Sequence, residues 1–202
     1  DNVYCCTYQE EISGYMAGYA AVKLGYRHLG FLGGMSVPAV TRFGYGYVQG
    51  INDAAKELDV VGDVEVEYVC GGQFYGDADI TAAMDTWYGT KGVEAVFACG
   101  GGIFTSAVEA AVKTGGKVIG VDSDQASLLP DYAKNIPTSA LKNVGNSLYR
   151  AINLDLEGNL EYGTTEVLGF AEGGVELVKD AHYEEMLPEN IRTTLDELEQ
   201  KI

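Results

Sequence analysis

The sequence predicts an α/β fold built on a parallel sheet, and three observations carry that prediction. Segments rich in β-branched and apolar residues alternate repeatedly with segments of helical period. Four consecutive strand candidates end in glycines or carboxylates, the usual make-up of a ligand-binding sheet edge. The composition, 47% apolar and 21% charged over 202 residues, is that of a folded soluble chain long enough for one large domain or two modest lobes.

The elements follow in order. Residues 2–8 (NVYCCTY) read as a strand, and residues 9–24 as a helix with Gly14, Ala17, Gly18 and Ala21 on one face, a small-residue stripe suited to lying close against a sheet. A strand at 28–32 (HLGFL) ends in Gly33 and Gly34, and the helix after it, 40–58, collects Phe43, Tyr47, Ile51, Ala54 and Leu58 on one side. A strand at 64–70 alternates at period two and ends in Gly71 and Gly72, ahead of a helix at 78–88. The strand at 93–99 runs into Gly100, Gly101 and Gly102 and is followed by a helix at 105–114. The strand at 117–121 ends in Asp122-Ser123-Asp124-Gln125. After Pro137 the rhythm changes. A short segment at 138–140 leads to Lys142 at the start of a helix at 143–156, with Val144, Leu148, Ile152 and Leu156 on one face. Residues 166–170 and 174–178 then read as a β-ribbon, and the tail from Pro188 carries Ile191, Leu195, Leu198 and Ile202 at helical spacing.

Charge and composition exclude several functions. Thirteen Lys and Arg against thirty Asp and Glu give a net charge of −17, which repels phosphate backbones, so nucleic acid is not an expected partner. The 27 glycines have no fixed period, which rules out a collagen-like chain. Two histidines, His28 and His182, leave little material for a His base or a His metal site, and no cofactor is expected. Cys5, Cys6, Cys70 and Cys99 lack CxxC spacing and read as small buried residues at strand ends. No run is long enough to span a bilayer as a helix, and residues 1–8 do not read as a signal peptide.

The strand ends supply the candidate site. Gly30 to Gly34 and Gly100 to Gly102 match neither GxGxxG nor a P-loop, yet glycines there let a ligand approach the backbone. Asp122 and Asp124 lie just beyond an apolar strand, where a carboxylate facing the crevice can accept two sugar hydroxyls, a reading favoured over that of an exposed, solvated pair. Lys142 is a candidate donor to a ligand oxygen, and Phe74 or Tyr75 a stacking face for a planar ligand, each weighed evenly against an ordinary surface or core-edge role. Trp87 and Tyr88 read as core. No Cys–His or Ser–His constellation forms, so binding is favoured over catalysis.

These residues resemble a known family. GFLGGMSVPAVTRFGYGYVQG at 30–50, ACGGG at 98–102, VIGVDSDQ at 118–125 and TSALK at 138–142, in that order, are similar to the basic-membrane-protein group of ABC-transporter substrate-binding lipoproteins, which includes purine-nucleoside receptors. The resemblance implies a type I periplasmic-binding fold of two Rossmann-like lobes, a nucleoside held between them, a membrane permease as partner, a monomer, and an extracytoplasmic lipid-anchored location. It implies one complete lobe at 27–137 and a partial lobe at 1–26 and 138–202. It also implies sugar contacts at Asp122 and Lys142, with Phe74 against the base. About a hundred residues that precede residue 2 in the family, with the lipid-attachment cysteine, are not in this sequence, so a shortened form that binds nucleoside weakly or not at all is expected. Micromolar affinity for inosine or guanosine would overturn that expectation. The alternatives are a Rossmann-like oxidoreductase or nucleoside hydrolase, and a cytoplasmic ligand-sensing regulator.

Overall fold

A computed structural model describes residues 2–202. Eight strands and eight α-helices occur among them in the order β1 (Cys5–Tyr8), α1 (Glu10–Lys23), β2 (His28–Gly33), α2 (Pro38–Glu57), β3 (Glu65–Cys70), α3 (Ala78–Thr86), β4 (Ala95–Cys99), α4 (Phe104–Thr114), β5 (Lys117–Asp122), α5 (Gln125–Leu128), β6 (Ser139–Lys142), α6 (Val144–Leu156), β7 (Thr165–Leu168), β8 (Val175–Leu177), α7 (Ala181–Met186) and α8 (Glu189–Glu199). A π-helical turn at Trp87–Lys91 extends α3, and Gly92 closes it in a left-handed conformation (φ 75°) that costs a residue without Cβ little. Trp87 and Tyr88 are buried, as expected.

Six strands form the main sheet in the order β3-β2-β4-β5-β6-β8, all parallel except β8, which runs antiparallel to β6. Strand β4 shows why both faces are covered. Ala95, Phe97 and Cys99 point into a core shared with α1, α2, α7 and α8, while Val96 and Ala98 point into a second core with α3 and α4. A strand with no polar alternation is what a doubly covered parallel sheet requires. On the first face Phe97 meets Phe31, Phe43 and Tyr47 at ring separations of 5.2–5.9 Å.

The glycine stripe of α1 packs on a helix and not on the sheet. A Cβ at Gly14 or Gly18 would run into the backbone carbonyls of Phe43 or Tyr47 on α2, and one at Gly46 or Gly50 into those of Glu11 or Tyr15 on α1. Two glycines four apart on each helix thus let the backbones touch, a geometry that a one-helix periodicity argument cannot distinguish from close packing on strands.

Three further expectations are corrected by the pairing and exposure. Segments 166–170 and 174–178 form no ribbon: β7 pairs in parallel with β1, and β8 pairs with β6. Their connection is the turn through Gly173 and Gly174, whose carbonyls, with the Glu176 carboxylate, engage Asn143 after β6. Lys142 ends a strand and does not begin a helix. Cys5 and Cys70 are exposed and Cys6 half-buried, leaving Cys99 as the buried thiol, because β1 and β3 are sheet-edge strands with one side open. The elements α1, β6, β8, α7 and α8 join the sheet and core that residues 27–137 also build. Outside that sheet and core stand the β1–β7 pair and α6, where Val144, Leu148, Ile152 and Leu156 are 50–79% exposed. This outer group is tied together by Glu166, which accepts from Arg150 at 2.6 Å and from the Tyr4 hydroxyl.

Candidate functional site

Register brings the strand ends to one edge. Gly33 lies opposite Cys70 on one side and Cys99 on the other, and Asp122 lies opposite Leu141, one residue before Lys142. Beyond this edge a cavity of about 240 Å³ is lined by Phe74, Cys99, Gly100, Gly101, Val121, Asp122 and Lys142, and by Val37, Ala39, Val40 and Phe43 at the start of α2. Of the residues singled out from sequence, Asp122, Lys142, Phe74, Gly100 and Gly101 share this cavity. Gly102 does not line it; its N–H donates to the Phe74 carbonyl at 2.9 Å. The residues that the sequence did not single out are the apolar ones of α2, which carry only an ordinary core periodicity.

The turn after β5 explains how Asp122 is presented. Asp122 adopts φ 64°, a left-handed conformation that Asp tolerates better than most residues but that still marks strain. Each neighbour has another task. Ser123 N–H donates to the Val121 carbonyl at 2.7 Å, and Asp124 caps α5 by accepting from Ser127 N–H at 3.2 Å. Gln125 joins the turn to β6, its N–H donating to Ser139 Oγ and its side-chain amide to the Val121 carbonyl. Of the two carboxylates in this motif, Asp122 is therefore the one that faces the cavity.

Lys142 Nζ stands 3.0 Å from Asp122 Oδ1. The contact is an ion pair that leaves Oδ1 shielded from solvent, so the part of the carboxylate that can accept from a ligand is the remainder of a side chain that is 40% exposed. Phe74 is 42% exposed at the rim, with its Cδ1 and Cε1 atoms against Gly34. The wall thus offers a charged acceptor, a charged donor, an aromatic face and glycine backbone.

It offers little for covalent chemistry. Burial pushes the Cys99 thiol well above its ordinary pKa, and the nearby Asp122 charge pushes it further, so the reactive thiolate is suppressed. His28 begins β2 at the opposite edge of the sheet, and His182 contacts the Ile136 carbonyl from α7. Among the described residues no group of three or more His, Cys, Asp or Glu could hold a metal ion.

A mainly parallel sheet covered on both faces, with an acceptor, a donor and an aromatic converging at its carboxyl edge, is the α/β fold of the type I periplasmic-binding class. Solved structures agree on the fold. An ABC-transporter solute-binding protein from Aeropyrum pernix superposes with a TM-score of 0.79 at 23% identity, covering 100% of this chain and 64% of that one. A transcriptional activator from Bacillus halodurans superposes with a TM-score of 0.75 at 22% identity, over 98% of this chain and 64% of that one. The family model described as Bmp, ABC transporter substrate-binding protein PnrA-like, matches residues 1–202, and the chain belongs to that family. Its relatives include basic membrane protein B of Borreliella burgdorferi, 29% identical over 91% of this chain and 52% of that protein. The ABC transporter nucleoside-binding protein BmpA of Lactococcus lactis is 32% identical over 89% of this chain and 53% of its own length. The chain spans about half the length of these curated relatives.

Proposed function

We propose that this protein binds a nucleoside, with a purine base, at the Asp122–Lys142–Phe74 cavity and serves as the ligand-holding component of an ABC transporter, passing its ligand to a membrane permease. The single observation that carries this reading is the Asp122–Lys142 ion pair on the wall of one cavity whose rim bears Phe74. Asp122 accepts hydroxyls of the sugar, Lys142 donates to a sugar oxygen, and Phe74 stacks on the base. The glycines Gly100 and Gly101 let the ligand lie against backbone. The chemistry is binding without catalysis. The location is extracytoplasmic, and the family membership and the nucleoside-binding name of the Lactococcus relative support the assignment. A phosphorylated ligand is disfavoured, because its charge meets a protein of net charge −17 and a cavity whose Lys142 charge is already opposed by Asp122.

The test is a titration with guanosine, followed residue by residue in two-dimensional NMR so that weak binding also registers. Shifts concentrated at Phe74, Gly100, Gly101, Asp122 and Lys142 are expected, with guanosine monophosphate binding more weakly. Shifts concentrated elsewhere, such as the acidic groove between α3 and α4 lined by Asp77, Asp85 and Glu109, would refute the assignment.

A further inference from the structure

We infer that Gly34 is a positioning residue for ligand binding: it forms the seat that fixes the Phe74 ring at the cavity rim before ligand arrives. The inference rests on the nucleoside reading above and extends it to a residue outside the cavity lining.

Gly34 follows β2, its N–H donating to the Cys99 carbonyl at 2.8 Å and its carbonyl accepting from Gly72 N–H at 3.0 Å. It is therefore locked between the ends of β3 and β4. A Cβ on Gly34 would lie 2.6 Å from Phe74 Cδ1 and 2.7 Å from Cε1, so the ring occupies the space that any side chain there would need. The strand end behind it is equally bare. A Cβ on Gly100 would come within 2.6 Å of the Gly34 Cα, so the two glycines stand back to back and keep this part of the edge thin.

The backbone of Phe74 is held independently of its ring. Its carbonyl accepts from Gly102 N–H at 2.9 Å, and Tyr75 forms an isolated parallel bridge with Gly102. Within the same loop, the Gln73 side-chain amide donates to the Tyr75 carbonyl at 3.0 Å and to Asp77 Oδ2 at 2.7 Å. A ring anchored at its backbone and resting on Gly34 loses little freedom when a base stacks on its exposed part. That is the physical sense of preorganisation: the ordering cost is met in the free protein. A methyl group added at Gly34 would lift the ring from its seat while leaving Phe74 itself in the sequence.

A double-mutant cycle tests this with Gly34→Ala, Phe74→Ala and the combined variant, using two readouts. The first is the aromatic NMR spectrum of phenylalanine-labelled protein, in which Phe74→Ala identifies the Phe74 signal. Gly34→Ala is expected to move that signal toward motionally averaged shifts while those of the buried Phe31, Phe97 and Phe104 stay in place. The second is guanosine affinity. Each single variant is expected to bind roughly tenfold more weakly, the scale of one base–aromatic stack. The combined variant should match Phe74→Ala alone, because with the ring gone the added methyl meets only the Gln73 carbonyl at 3.0 Å, a contact that a small backbone shift relieves. A Phe74 signal unmoved by Gly34→Ala would overturn the seat, as would a further tenfold loss in the combined variant. Absence of guanosine binding by the wild-type protein would instead overturn the nucleoside reading, and the ligand-free spectra would still decide the seat.

Discussion

Replacing Asp122 in turn by glycine, alanine and asparagine separates backbone strain from ligand chemistry. The residue sits at φ 64°, where an L side chain crowds its own carbonyl and glycine does not. Alanine keeps that crowding and lacks the local hydrogen bonding that lets Asp or Asn occupy the left-handed region. The Asp122→Gly variant is therefore expected to be more stable than Asp122→Ala by about 1–2 kcal/mol, the reverse of the order at an ordinary position. Both variants also lose the ion pair to Lys142, whose side chain is 22% exposed, so that term is about 0–1 kcal/mol and cancels between them. Affinity follows a different order. Two sugar hydroxyls donating to a carboxylate contribute about 1.5–3 kcal/mol each, so the glycine and alanine variants should lose about a hundredfold or more in guanosine affinity. Asparagine, which keeps the shape and one acceptor, should lose less. Urea unfolding followed by circular dichroism gives the stability order, and the NMR titration gives the affinities. Equal stability of Asp122→Ala and Asp122→Gly would refute the strain argument. Wild-type affinity in either of these two variants would remove Asp122 from the ligand contact.

Two further outcomes follow from the packing and the charges. Gly18→Ala should destabilise the protein by about 1–3 kcal/mol, because the α1–α2 backbone contact has no room for a methyl, whereas Gly145→Ala, facing open space in the first turn of α6, should stabilise it by about 0.5 kcal/mol; equal effects in urea unfolding would mean that the two helices can part freely. Arg150, and then Tyr4, hold the Glu166 carboxyl below its ordinary pKa, so its contribution is present above about pH 4.5 and is lost as pH falls through the depressed folded value. Glu166→Gln should therefore cost about 0.2–1 kcal/mol at pH 7 and progressively less as pH falls below 4.5, and a loss that persists undiminished in acid would point to packing instead of charge.

Much of the site was legible because its signals are local. A strand followed by glycines, and a strand followed by VDSDQ, place backbone and carboxylate at the same end of their strands whatever the rest of the chain does. What local sequence left open was the partner of each group. Lys142 looked like the first residue of a helix, and only its position beside β5 brings its ammonium to Asp122. Phe74 weighed evenly as a stacking face or as a loop aromatic, and its seat on Gly34 joins residues forty apart. Segments 166–170 and 174–178 invited a ribbon through their short glycine turn, yet longer-range pairings with β1 and β6 prevail.

The sequence by itself determined the α/β class and the order of most elements, because period and turn chemistry are carried by neighbouring residues. Only the tertiary structure decided that α1 spends its glycines on α2, that β6 and β8 complete the large sheet, that the apolar face of α6 stands exposed, and that Lys142 pairs with Asp122 at the cavity wall. Each of these depends on which distant surfaces meet, and that is set by the balance of burial and chain connectivity over the whole molecule.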